Sequence, residues 1–198
     1  PRQYKERTPG QRGTFRMVLK TIADLGLIGY PNAGKSPLIA ALTGARPKAA
    51  SYPFTTLNPV VGVMEPEDPD LPRIQLADIP GLIEGAHADK GLGHAFLRHV
   101  ERCRGLVILI DLAGVDGRDP ADDHQNLLRE LDLYGRGLDR LPRLVVLNKI
   151  DEPAAAEHRE AFLRRTGTRP LEVSSLLGEG LPELRKALFS FAMKVTNP

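Results

Sequence analysis

From residue 25 onward, short apolar runs of strand length alternate with stretches whose apolar positions recur at helical spacing. Residues 25–29 read as a strand that runs into a glycine-containing loop, followed by a helix over 35–42. Residues 60–64 and 73–77 read as two strands. The turn-rich segment 65–72 between them holds Pro66, Pro69 and Pro72, so the pair predicts a hairpin. Leu92, Phe96, Val100 and Cys103 predict an amphipathic helix over 91–104. The unbroken apolar run 106–110 suits a strand buried on both faces. Leu127, Leu128, Leu131 and Tyr134 mark another helix. Residues 144–147 predict a central strand, 155–165 a helix and 171–173 a short strand. Leu181, Leu184, Leu188 and Phe191 mark a closing helix. This order predicts a three-layer α/β domain, a mainly parallel six-stranded sheet with helices on both faces. Residues 1–20 fall outside that plan. Residues 8–13 read as a linker and 14–20 as an extended piece entering the first strand.

Length and composition narrow the class. The chain has 198 residues, 41% of them hydrophobic and 26% charged. That fits one globular domain and excludes a fibrous or wholly disordered chain. The single cysteine, Cys103, excludes a disulfide scaffold and fits a reducing compartment. The longest purely apolar run is far short of the ~20 residues that span a bilayer, so no membrane partner is expected. The net charge of +2 hides an asymmetry: residues 1–20 carry six basic side chains and one acidic, whereas the remainder is net acidic. A basic arm can touch nucleic acid, but by itself it reads as a solvated tail or interdomain segment.

The sharpest chemical signal is Gly29-Tyr30-Pro31-Asn32-Ala33-Gly34-Lys35-Ser36, which matches the G-x-x-x-x-G-K-[ST] pattern between a predicted strand and a predicted helix. Glycines let successive backbone N–H groups curl around phosphate oxygens, and the helix aims its positive end at the anion. Lys35 brings a point charge to the outer phosphates, and Ser36 brings a hydroxyl to Mg2+. The fold is thus expected to be that of the P-loop nucleoside triphosphatases. Pro37 breaks the pattern of donors, because proline has no N–H, and weaker nucleotide binding is expected from it.

Three further motifs sit after predicted strands. Asp78-Ile79-Pro80-Gly81 places a carboxylate that can hold Mg2+ through water and a glycine N–H that can reach a γ-phosphate. Asn148-Lys149-Ile150-Asp151 ends in a carboxylate able to accept both the N1–H and the exocyclic amine of guanine, a donor pair that adenine lacks. Ser174-Ser175-Leu176 can present a backbone N–H to the guanine O6. Between the first loop and residue 60 lies Tyr52-Pro53-Phe54-Thr55-Thr56. Here Thr56, in preference to Thr55, is the candidate hydroxyl that joins Mg2+ when the γ-phosphate is present.

Taken together, these motifs resemble the Obg family of GTPases. The likeness also runs through residues 46–56, 78–87 and 90–99, with the glycine-rich Gly81, Gly85, Gly91 and Gly93 as the family's own mark, and it covers about residues 20–193. The resemblance implies hydrolysis of GTP to GDP and phosphate, with Lys35 and Thr56 as catalytic residues and Mg2+ at Ser36, Thr56 and Asp78. It also implies association with the large ribosomal subunit or its RNA. It casts residues 21–195 as the GTPase domain and 1–20 as a linker or stub of a preceding domain, acting as a monomer in the cytoplasm, or in an organelle if a targeting peptide has been removed. Leu82 stands where Ras-like enzymes carry a water-orienting glutamine, so slow intrinsic hydrolysis is expected. In some related GTPases an asparagine at the place of Asn32 ligates K+, which makes Asn32 a candidate K+ ligand. Two other readings remain: a nucleotide-binding scaffold with little turnover, and a basic RNA-binding module with a vestigial nucleotide site.

Overall fold

The structure, a computed structural model, describes residues 23–44, 48–49, 60–79, 102–134 and 137–196. In chain order the elements are β1 (Ala23–Ile28), α1 (Lys35–Thr43), β2 (Lys48–Ala49), β3 (Val60–Met64), β4 (Ile74–Asp78), β5 (Cys103–Asp111) and α2 (Pro120–Tyr134). A 3-10 turn at Leu138–Arg140 follows, then β6 (Arg143–Asn148), α3 (Pro153–Thr166), β7 (Leu171–Glu172) and α4 (Leu181–Thr196).

The strands form one sheet in the order β2-β3-β4-β1-β5-β6-β7. β1 pairs in parallel with β4 and β5, β5 with β6, and β6 with β7, while β3 runs antiparallel to its neighbours β2 and β4. The six expected strands and the β3–β4 hairpin are therefore present, and the two-residue β2 adds a seventh at the edge. One expectation changes. Cys103 and Arg104, assigned to the end of a helix over 91–104, begin β5, where Cys103 pairs with Ala23. The rest of that helix and the extended piece over 14–20 lie outside the described residues.

β5 shows why the layers form. Leu106, Ile108 and Ile110 point to one face of the sheet and Val107 and Leu109 to the other, and all five are buried. The first set packs with Leu127 and Leu131 of α2 and Phe162 of α3. The second packs with Leu38 and Ile39 of α1 and Leu184 and Leu188 of α4. Full burial of such side chains contributes about 1.5–3 kcal/mol each.

Helix ends are set locally. Asp119 Oδ1 accepts the N–H groups of Ala121 and Asp122, at 2.9 Å each, and caps α2. Pro120 follows at the first helical position, where an N–H is not needed. α1 and α3 stop at Gly44 and Gly167, both at φ 63, whose N–H groups return to Ala40 and Leu163.

One core residue is titratable. His124 is 4% exposed and meets Phe162 edge-on at 5.6 Å between ring centroids. Its Nδ1 has no hydrogen-bond partner among the described residues. Burial, reinforced by the charge of Arg143, holds its pKa below the ordinary 6.5. The folded state thus takes up this proton at a lower pH than the unfolded chain, which does so near 6.5, so stability present above that pH is lost as the pH falls below it. The wild-type melting temperature should drop more steeply between pH 7 and pH 5.5 than that of His124→Leu, as read by thermal denaturation. Parallel curves would assign the pH dependence elsewhere.

Candidate functional site

Five parallel strands, β1, β4, β5, β6 and β7, end on the same edge of the sheet, where open α/β sheets bind ligands. The residues at and after their carboxyl ends wall a cleft of about 790 Å³. β1 leads to Asn32, Gly34 and Lys35, and β4 ends at Asp78. The loop after β5 brings Val115, the loop after β6 brings Lys149 and Asp151, and the turn after β7 brings Ser175 and Leu176.

The first loop is built by backbone conformation. Asn32 and Gly34 both have positive φ, at 61 and 95, and asparagine is among the few non-glycine residues that tolerate this. A Cβ on Gly34 would stand 2.3 Å from Asn148 Nδ2, so glycine is required by space as well as by φ. Gly29 is held to glycine by the sheet, since a Cβ there would meet Leu109 O at 2.4 Å. Lys35 Nζ folds back to donate to Gly29 O (2.9 Å) and Tyr30 O (3.0 Å). Burial pulls its pKa down, partly opposed by the charge of Asp78.

Ser36 Oγ donates to Asp78 Oδ2 at 2.6 Å. Asp78 is 7% exposed, and its other oxygen, Oδ1, is buried with no hydrogen-bond partner among the described residues. An unpartnered buried carboxylate oxygen beside a hydroxyl is the donor set expected for a hard divalent cation.

Asn148 is completely buried and joins three loops. Its Nδ2 donates to Ala33 O at 2.8 Å, and its Oδ1 accepts the Ser175 N–H at 3.0 Å. Lys149, at φ 64, pairs with Asp111 at 2.7 Å. Asp111 also accepts the Ala113 N–H, so this pair ties the loop after β5 to the loop after β6. Asp151 lies on the cleft wall with Oδ1 buried and without a hydrogen-bond partner among the described residues. Asn32 Nδ2 donates to Asp116 Oδ2 at 3.1 Å, joining the first loop to the loop after β5.

The structure thus gathers Pro31, Asn32, Gly34, Lys35, Ser36, Asp78, Asn148, Lys149, Asp151, Ser175 and Leu176 around one cleft. Gly29, Tyr30, Ala33, Ile79 and Ser174 do not form its walls. Tyr30 is buried under the Arg118 guanidinium, 3.8 Å above its ring. Ile79 is a core residue whose N–H extends the strand pairing to Leu27 O, and Ser174 Oγ caps the turn at Leu177. Ala33 serves through the carbonyl that Asn148 takes. Phe54, Thr55, Thr56, Pro80 and Gly81 lie outside the described residues, as does Leu82. Val115, Glu152 and the Asp111 clamp are additions to the sequence reading. Asp111 carried a usable signal, a carboxylate directly after the apolar run 106–110.

Chemically, one end of the cleft offers an α-helix N-terminus, a lysine, a hydroxyl and a carboxylate, which suits a polyphosphate carrying a divalent cation. Asp151 offers a carboxylate suited to a partner with paired N–H donors.

A family model described as "50S ribosome-binding GTPase" matches residues 24–149. The "GTPase Obg" of Opitutus terrae is 53% identical over 191 residues, covering 95% of this chain and 55% of that protein. The "GTPase Obg" of Akkermansia muciniphila is 48% identical over 189 residues, covering 95% and 53%. The chain thus spans about half the length of these curated relatives. Among solved structures, the G domain of the T. maritima FeoB iron transporter superposes with a TM-score of 0.64 at 24% identity, over 85% of this chain and 97% of that one, a likeness of fold. An Aquifex aeolicus Era variant bound to GDP and AlF4- gives a TM-score of 0.59 at 26% identity, over 85% of this chain and 56% of that one.

The Asn148 amide is the point whose loss the site should feel most. Removing it strands the Ala33 carbonyl and the Ser175 N–H, at about 1–3 kcal/mol for each buried unpaired group. Asn148→Ala should lower the unfolding free energy by about 2–4 kcal/mol in urea titrations. It should also speed amide exchange in both the first loop and the turn after β7. A change confined to one of the two would show that they are not coupled through this side chain.

Proposed function

Since the chain belongs to the 50S ribosome-binding GTPase family, and within it to the Obg-type GTPases, we propose that it is a guanine-nucleotide switch that hydrolyses GTP to GDP and phosphate. The carrying observation is Asp151: a carboxylate oxygen buried on the cleft wall with no partner among the described residues. Guanine supplies two N–H donors to a carboxylate so placed, and adenine would leave it unpaired at a cost of about 1–3 kcal/mol or more. At the other end, Lys35 exchanges its carbonyl partners for phosphate oxygens, and the first turn of α1 presents its N–H groups to them.

Ser36, Thr56 and, through water, Asp78 would hold Mg2+, which there neutralises charge on the transferring phosphoryl oxygens. The unpartnered Asp78 Oδ1 fits that assignment. Asn32 is the candidate K+ ligand. Its amide nitrogen is committed to Asp116, so a cation would take its side-chain carbonyl oxygen. The Obg likeness supports Thr56 as the residue that would meet the γ-phosphate and orient the attacking water. Leu82 supplies no hydrogen bond to that water, so turnover is slow until a partner adds one. The Obg relationship supports the large ribosomal subunit or its RNA as that partner, with action as a monomer in the cytoplasm. The Obg likeness supports residues 21–195 as the GTPase domain and residues 1–20 as a linker or the stub of a preceding domain. Among the described residues, no helix is long and apolar enough to cross a membrane.

Two measurements test this reading. Asp151→Asn should weaken GDP binding roughly a hundredfold and favour xanthosine diphosphate, whose C2 carbonyl accepts from the new amide. Unchanged base preference would remove Asp151 from recognition. Phosphate release from GTP should be slow with the protein alone and faster with large ribosomal subunits, and faster in K+ than in Na+. Equal rates with and without subunits would remove the ribosomal assignment, and equal rates in the two salts would remove Asn32 as a cation ligand.

A further inference from the structure

The first helical hydrogen bond of α1 runs from the Leu38 N–H to Gly34 O, at 2.9 Å. The four N–H positions before it, at residues 34, 35, 36 and 37, therefore have no acceptor inside the helix and point out of its N-terminus. That end of α1 opens on the cleft, whose walls include Gly34, Lys35, Ser36 and residue 37 itself. A helix start of this kind normally offers four donors to an anion, but residue 37 is proline and offers none. Nothing in the first turn replaces it. The side chains there are Lys35, Ser36, Pro37 and Leu38, and Leu38 is buried in the core. The helix itself loses nothing, because proline is sterically accepted in the first turn and the missing N–H had no helical partner. The whole consequence of Pro37 falls on whatever anion occupies the cleft.

We infer that Pro37 sets the grip of the site: it removes one backbone donor from the phosphate cradle, so that nucleotide is held more loosely, and released faster, than by the same cradle with an N–H at residue 37. This inference rests on the guanine-nucleotide reading of the cleft. It adds to that reading a residue that governs affinity without touching base choice, hydroxyl or metal ligands.

The test is Pro37→Ala, which restores an N–H and adds no side-chain donor, with Pro37→Ser as a second variant sharing the restored N–H. GDP affinity is measured by calorimetry in Mg2+, and release by displacement of a fluorescent GDP. Both variants should bind GDP about tenfold or more tightly. The gain should appear mainly as slower release, while the melting temperature without nucleotide moves little. If the wild-type protein binds GDP and both variants match it or bind more weakly, the inference is overturned and the reading of the cleft stands. If neither wild type nor variants bind guanine nucleotides, both fall together.

Discussion

A single buried amide holds the candidate site together. Asn148 stands at the end of β6 with no exposure to solvent, and it gives one polar atom to the loop after β1 and the other to the turn after β7. Its nitrogen lies so close to Gly34 that no side chain fits there. The loop after β1, the start of α1 and the turn after β7 are therefore positioned by one group whose hydrogen bonds are worth most where water is excluded. The neighbouring Lys149–Asp111 pair does the same for the loop after β5.

The sheet makes that convergence possible. Parallel pairing of β1, β4, β5, β6 and β7 brings loops distant in sequence to one edge, and β5, apolar on both faces, anchors the centre of the sheet between the two helical layers. Asp78 and Ser36, 42 residues apart, meet at 2.6 Å because β4 lies directly beside β1. The helices above and below lock the strands, while the carboxyl edge stays open.

Much of this was legible in the chain because the signals were local. The strand over 106–110 was a plain apolar run, and the loop over 29–36 combined a motif with a strand before it and a helix after it. The start of α2 escaped, because the apolar positions from Leu127 mark only its later turns and its first turn is set instead by the Asp119 cap and Pro120. Cys103 was misplaced because its spacing from Val100 fits a helix face, and only its pairing with Ala23 shows it to be strand. β2 escaped because a two-residue edge strand has no periodicity to detect. Tyr30, Ala33, Ile79 and Ser174 belong to motifs, so they read as ligand contacts. In the fold their side chains pack beneath the cleft rather than line it, a property of packing that spacing alone does not carry. Val115 was invisible for the converse reason: its place on the wall depends on the loop after β5 being drawn in by Asp111 and Asp116.

The account is tested most directly by calorimetric titration of the protein with GDP and, separately, with ADP, both in Mg2+. It predicts one saturable site per chain for GDP and no comparable binding of ADP. Equal binding of the two nucleotides, or no binding of either at millimolar concentration, would contradict it.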